Sequence, residues 1–279
     1  MRDKMCGIES GYFFKQNRIM ARKMMLICVM MLCAGGGAYA QDSDLGVTLD
    51  ATYASKYMWY GFNTYGAQSA FQPSVDVDLF GSGFGVNVWH SRPNASGHRN
   101  IEEFDYTVYY GNQAFEGETY AMDYTLKYVY YDYFDTASVN SDLQELALTL
   151  SFPEICAAGV VPSYTVGRLD EARNSNSGGL DAEGWIHVFG VDYDWVLPGI
   201  LPDTPEQVVE LMANVVYNDG FNGATVDHDW SHFTIGAAAP ITLTTNVTLT
   251  PGIYHQISME DTVNTSADIW TMLSLTGVF

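Results

Sequence analysis

The groups with the most chemistry to offer are carboxylates set among oily neighbours. Asp50, Asp76, Asp78, Glu103, Asp105, Asp123, Glu145, Asp192, Asp194, Glu210 and Asp268 each alternate with apolar residues, and Lys127 is the one base clearly among them. Period-two spacing puts such acids on one face of a strand and the oily residues on the other. In a dry core these acids would need partners, and the sequence contains too few. Along a water-filled interior, hydration keeps them ionised, and a narrow passage lined by them concentrates cations and repels small anions.

Other chemistry has weaker support. Nucleophilic catalysis needs serine and histidine on one strand face, with a polar group to orient them. Ser231–His232 and His90–Ser91 are adjacent, and His255 and Ser258 are three apart, so each pair points to opposite faces of a strand. No catalytic residue is expected, although a partner from another strand leaves a barrel-wall hydrolase open as an alternative. Asp170, Glu171, Asp181 and Glu183 in one loop, and Asp219, Asp227, His228 and Asp229 in another, lack the ordered glycine and terminal glutamate of a calcium loop. They read as solvated acids, and neither a metal site nor a cofactor is expected.

The elements that must position the acids are short alternating runs separated by turns. Their apolar faces span 47–53, 75–79, 84–88, 104–110, 120–130, 146–152, 162–166, 185–195, 209–217, 233–239, 247–253 and 269–279, twelve runs in all. Connections after even runs are short, such as "GSG" and "PITLTT", and those after odd runs are mostly longer and polar, such as "SRPNASGHRN" and "RLDEARNSNSGGLDAEG". An even count with short turns at one end and long loops at the other is the pattern of a membrane barrel.

Aromatic placement separates that reading from a soluble sandwich. Tyr120 and Tyr130 lie ten residues apart on one face, as do Trp185 and Trp195. Ten residues at ~3.4 Å, tilted about 40°, cover roughly 25 Å, the height of a lipid-facing band with an aromatic girdle at each rim. The chain's 19 tyrosines would each need a hydroxyl partner in a dry core, whereas at a membrane interface the hydroxyl meets headgroups and water. Inward Trp89, Tyr109, Tyr131, Tyr254 and Trp270 would narrow the interior. The last run ends on a bare Phe279, with Leu273 and Leu275 on the same outward face.

At the front, Arg22 and Lys23 precede the apolar "MMLICVMMLCA", followed by "GGGAYA" and the polar "QDSD". A charged start, a short apolar run and an A-x-A signature predict a signal peptide cleaved after Ala40, leaving one barrel domain over 41–279. Removing residues 1–40 takes six of the twelve Lys/Arg but only Asp3 and Glu9 of the 33 acids, leaving 31 acids against six bases. Such a charge excludes nucleic acid as a partner. Three of the four cysteines leave as well, so Cys156 stands alone and a disulfide framework is excluded.

The signal peptide, the alternating runs and the terminal aromatic together resemble bacterial outer-membrane β-barrels, in which the last strand is read by the assembly machinery. Two stretches narrow the resemblance. "YASKYMWYGF" (53–62), followed by "AFQPSVDVDL", is similar to the first hairpin of the TorF-like porin group, and "AAAPITLTTNVTLTPGIYH" (237–255) is similar to its penultimate hairpin. The group often has a basic residue before the glycine of the first motif, where this chain has Tyr60.

The expected architecture is therefore all-β, a single up-and-down antiparallel transmembrane barrel of twelve strands in contact with outer-membrane lipids. The expected activity is passage of small hydrophilic solutes, with Asp50, Asp76, Asp78, Glu103, Asp105, Asp123, Lys127, Glu145, Asp192 and Asp194 lining the way. A non-conducting barrel with a structural or loop-binding role is the alternative. The protein is expected to fractionate with the outer membrane and to migrate faster on gels unheated than boiled. Recovery as a detergent-free periplasmic protein would overturn the membrane assignment.

Overall fold

The computed structural model describes residues 45–94, 102–134, 142–156, 159–172, 182–199, 206–223 and 228–279. The signal-peptide reading at 1–40 lies outside the described residues. Twelve long strands alternate along the chain: β1 (Gly46–Ala54), β2 (Ala70–Asp78), β3 (Phe84–Pro93), β4 (Glu103–Ala114), β5 (Met122–Asp132) and β6 (Leu143–Ser151). They continue with β7 (Val160–Glu171), β8 (Gly184–Pro198), β9 (Glu206–Asp219), β10 (Asp229–Ala238), β11 (Val247–Ser258) and β12 (Asp268–Val278). Each strand pairs antiparallel with the next, and β12 returns to pair with β1. The sheet is therefore a closed ring with no free edge around its circumference.

Alternation explains both faces. Leu49, Val75, Val86, Val88, Val108, Leu126, Leu146, Val191, Ile235, Ile253, Leu273 and Leu275 are all exposed on the outside. A continuous apolar belt of that extent is far larger than a soluble monomer tolerates, so the outside is a lipid-facing surface. The opposite parity carries Thr52, Gln72, Ser91, Glu103, Glu145, Asn218, Thr234 and Gln256, all buried.

The seam between β1 and β12 is tied to the last residue. Phe279 N–H donates to Val47 O at 2.8 Å, and Val47 N–H donates to Phe279 O at 2.9 Å. On the other side, Val278 N–H donates to Asn246 O at 2.9 Å, and Asn246 Nδ2 donates to Val278 O at 2.6 Å. The Phe279 ring points outward, 66 % exposed, and lies over Gly277, where an added Cβ would sit 3.0 Å from the ring edge. An aromatic final residue thus completes the ladder and presents its ring at the lipid–water boundary, where aromatic rings are favoured.

Both ends of the chain's barrel lie at the short-turn rim, and the longer connections gather at the opposite rim. Four local features depart from the sequence expectation. Tyr120 sits in the turn before β5, which starts only at Met122. The "PITLTT" connection continues β10 as a short strand, Ile241–Thr244, alongside β11. The β8–β9 hairpin overshoots its neighbours: β7 pairs only as far as Tyr193, whereas β8 and β9 stay paired to Pro198↔Glu206. In β10 a bulge leaves Ser231 as an extra residue between the pairs Tyr217↔Trp230 and Val216↔His232.

Deleting Phe279, or appending a charged tail after it, should lower the assembled fraction severalfold, because each removes or crowds the final ladder pair. Val278→Thr, one residue away on the other face, should leave assembly near wild type. Heat-modifiable migration and surface-protease protection read both; equal assembly of all three variants would contradict the role assigned to the seam.

Candidate functional site

The acids named from the sequence all share the parity of buried residues, but they divide by depth. Seven lie toward the short-turn rim, Glu210 among them. Asp50 accepts hydrogen bonds from Thr52 Oγ1 at 2.6 Å and Thr276 Oγ1 at 2.7 Å. Asp76 accepts from Tyr109 OH at 2.9 Å and Asn87 Nδ2 at 3.3 Å. Asp78 accepts from Gly81 N–H at 2.5 Å and so caps the β2–β3 turn. Asp123, Asp192 and Asp194 complete this half, with Asp194 directly opposite Glu210 on the overshooting hairpin. Between them the wall is hydroxyl-rich, as in the Thr149–Thr165 contact of 2.8 Å.

The long-loop half is filled. Residues 55–69, between β1 and β2, fold inward, and Met58–Trp59 pairs with Phe62–Asn63 as a miniature hairpin. Its two-residue tip, Tyr60–Gly61, has φ of 45° and 93°, the backbone of a tight hairpin turn. Gly61 suits that backbone and also has no room for a side chain, since a Cβ would meet His232 Nδ1 at 2.4 Å. Tyr60 is strained there, because left-handed backbone is costly for a bulky residue.

Contacts across the lumen hold the tip. The Tyr60 hydroxyl donates to Glu145 Oε1 at 2.9 Å, on β6, which stands on the far wall from β1 and β2. Tyr131 OH donates to the other Glu145 oxygen, and Lys127 Nζ lies 3.7 Å away. Burial first, and then the facing carboxylate, push the Tyr60 hydroxyl well above the usual phenol range, so it remains a donor. Trp59 packs at 5.4 Å from Tyr131 and 5.5 Å from Phe221, and Tyr60 lies 5.0 Å from Phe221. On the near side, Gln256 Nε2 donates to Gly61 O at 2.8 Å, Asn63 Nδ2 donates to Asp268 Oδ2 at 3.3 Å, and Lys56 pairs with Asp268.

This arrangement corrects the expectation of a uniformly hydrated lining. Glu103 and Glu145 are 1 % and 0 % exposed. Tyr133 OH donates to Glu103 Oε1 at 3.0 Å, while Glu103 Oε2 and Asp105 Oδ1 are buried without a hydrogen-bond partner among the described residues. Parity identifies the face a residue occupies and says nothing of what folds over it. The sequence signal that might have exposed the covering loop is its aromatic density, Tyr57, Trp59, Tyr60, Phe62 and Tyr65 within nine residues.

The remaining sites fall as follows. Tyr120 and Trp195 lie toward the short-turn rim, Trp195 on the overshooting hairpin; Tyr130 and Trp185 lie toward the long-loop rim. Tyr130 OH donates to Asp142 at 2.7 Å, and the Arg168 guanidinium sits 5.6 Å from the Trp185 ring centre. Inward Tyr254 and Trp270 stack at 5.4 Å. The bulge overturns the parity argument for Ser231 and His232: Ser231 Oγ and His232 Nδ1 are 2.9 Å apart, both side chains inward. They are 0 % and 3 % exposed beneath Gly61. Among the described residues no three metal-ligating side chains cluster. Asp170 is paired with Arg168 at 2.9 Å and Asp219 with His228 at 3.0 Å, while Asp181 and Asp227 lie outside the described residues.

The chain is similar in fold to the KdgM porin, at 9 % identity and a TM-score of 0.50, over 83 % of this chain and 99 % of that one. It is also matched by the NanC porin, at 9 % identity, 83 % and 98 % coverage and a TM-score of 0.49. An outer membrane channel from Pseudomonas putida F1 matches at 9 % identity, 88 % and 98 % coverage and a TM-score of 0.47. At such identity the likeness is one of fold. No protein-family model matches the chain, so the narrower TorF-like resemblance gains no support there, and no curated protein matches it.

Two glycines of the β1–β2 connection separate backbone strain from steric overlap. Gly66 has φ of 60° and nothing within 4 Å of an added Cβ, whereas Gly61 has φ of 93° and the His232 ring at 2.4 Å. Gly66→Ala should cost about 1 to 2 kcal/mol from backbone strain alone. Gly61→Ala should cost roughly 1 to 3 kcal/mol more through overpacking. Urea unfolding of the refolded barrel measures both, and equal losses would mean that the hairpin tip does not press against β10.

Proposed function

We propose that the protein is a bacterial outer-membrane channel for the passive diffusion of small hydrophilic solutes, with a preference for cations. The observation that carries this reading is a closed twelve-strand ring, oily outside, with Asp50, Asp76, Asp78, Asp123, Asp192 and Asp194 on the inward parity toward the short-turn rim. Fixed negative charge in a low-dielectric tube focuses the field, raising the local concentration of cations and excluding small anions. A ring of this strand number is narrow, so the lining acts at close range. The fold shared with the KdgM porin is in keeping with a transport role.

The same reading assigns the partners. Outer-membrane lipids meet the apolar belt, and the barrel-assembly machinery reads the outward Leu273, Leu275 and Phe279 of β12. The Tyr120, Tyr130, Trp185 and Trp195 side chains would mark the two interfaces, and residues 1–40 would direct export. Kinship with the TorF-like porin group fits the two hairpins noted in the sequence. We favour a channel over a hydrolase because, among the described residues, no carboxylate hydrogen-bonds to His232 to orient it against Ser231. A non-conducting barrel is favoured by one observation, the hairpin that occupies the long-loop half.

Replacing Asp50, Asp76, Asp123 and Asp192 together by Asn preserves side-chain size at the lining while removing four charges. In planar bilayers under a salt gradient, wild type should reverse on the cation-selective side, and the quadruple variant should move most of the way toward zero. Folding, read by heat-modifiable migration, should be unchanged. An identical reversal potential would mean that these carboxylates do not line the conducting path.

A further inference from the structure

The miniature hairpin at 58–63 spans the lumen without joining the barrel's ladder. Its only strand pairs are Met58↔Asn63 and Trp59↔Phe62, within itself. Everything that fixes it to the wall runs through side chains: Tyr60 to Glu145, Gln256 to Gly61 O, and Asn63 and Lys56 to Asp268. Lifting it out would leave every inter-strand hydrogen bond of the ring intact, and each of these polar ties can be exchanged for water. The seat, by contrast, is acidic. Glu145 accepts from Tyr60 and lies beside Lys127 of the wall, Asp268 pairs with Lys56 of the segment, and both carboxylates would face water once the hairpin left.

We infer that residues 56–68, tethered at Ser55 and Ser69 by backbone bonds to Thr271 and Asn94, are a displaceable plug that closes the long-loop half of the lumen at rest, and that solute passes only when the plug leaves its seat. This rests on the channel reading above. Release is favoured by rehydration of the buried Glu145 carboxylate. Aromatic packing of Trp59 and Tyr60 on Tyr131 and Phe221 opposes it. Opening also lengthens the acidic lining, since the uncovered Glu145 and Asp268 join the row that starts at Asp50 and Asp76. The plug therefore gates passage and sharpens cation preference in one movement.

The test uses the full-length barrel with Cys156→Ser, since Cys156 is exposed and would react. Asn63→Cys and Asp268→Cys replace a pair whose polar atoms are 3.3 Å apart, and a short bis-methanethiosulfonate reagent bridges them reversibly. A second variant, Lys56→Met with Tyr60→Phe, removes two ties that involve charged partners. Single-channel recording should show wild type mostly closed with brief openings, and the bridged protein at least about tenfold less open until reductant is added. The double substitution should raise the open fraction roughly tenfold, the order expected for losing hydrogen bonds to charged groups. Steady conductance that bridging does not change would overturn the plug while leaving the channel standing. Silence of every folded variant, unbridged and doubly substituted alike, would overturn both.

Discussion

Backbone polarity in lipid is the constraint from which the rest follows. A strand surrounded by hydrocarbon must pair on both sides, and the solution here is a ring that closes β12 onto β1 down to the pair Val47–Phe279. Once the ring is closed, each strand has an inside and an outside, and period-two alternation becomes obligatory around the whole circumference. Leu49 cannot exchange places with Asp50 without putting a carboxylate into lipid. The acids are consequently inside because no other face remains for them, and the interior's chemistry is a by-product of the exterior's oil.

That constraint also explains how much could be read from residues alone. Strand number, the assignment of short and long connections, and the outward set ending in Leu273, Leu275 and Phe279 all follow from alternation, and all describe the structure. Alternation fails wherever a residue is inserted or a strand runs past its partner. The extra residue at Ser231 reverses parity locally and brings a serine against a histidine that strict alternation separates. The β8–β9 overshoot places Trp195 beyond the end of β7, a consequence of unequal strand lengths that no periodicity encodes. Depth is the largest omission: Glu103 and Asp76 have the same pattern around them, yet one is covered and the other lies half-buried toward the short-turn rim.

The interior thereby assigns two duties to one residue type. Toward the short-turn rim, Asp50 and Asp76 accept from Thr52, Thr276 and Asn87, and Asp76 also from Tyr109, all of them on the strand wall. Toward the long-loop rim carboxylates accept from tyrosines and pair with lysines, and their role is to seat a loop. Tyr60 illustrates the second duty. Its hydroxyl donates to Glu145, which also lies beside Lys127.

Closure of the seam has a consequence for the order in which the chain acquires its structure. Thr52 and Ser274 touch across a sequence separation of 222 residues, while most other strand neighbours are joined by a single connection. Local hairpins form early and the seam last, because the entropy of joining distant segments is recovered only at the end. The inward hairpin hangs from β1, on one side of that seam, and bonds to Asp268 of β12, on the other. An unclosed barrel therefore offers it a lateral doorway, and sealing the wall encloses a loop that would afterwards have to enter from the rim.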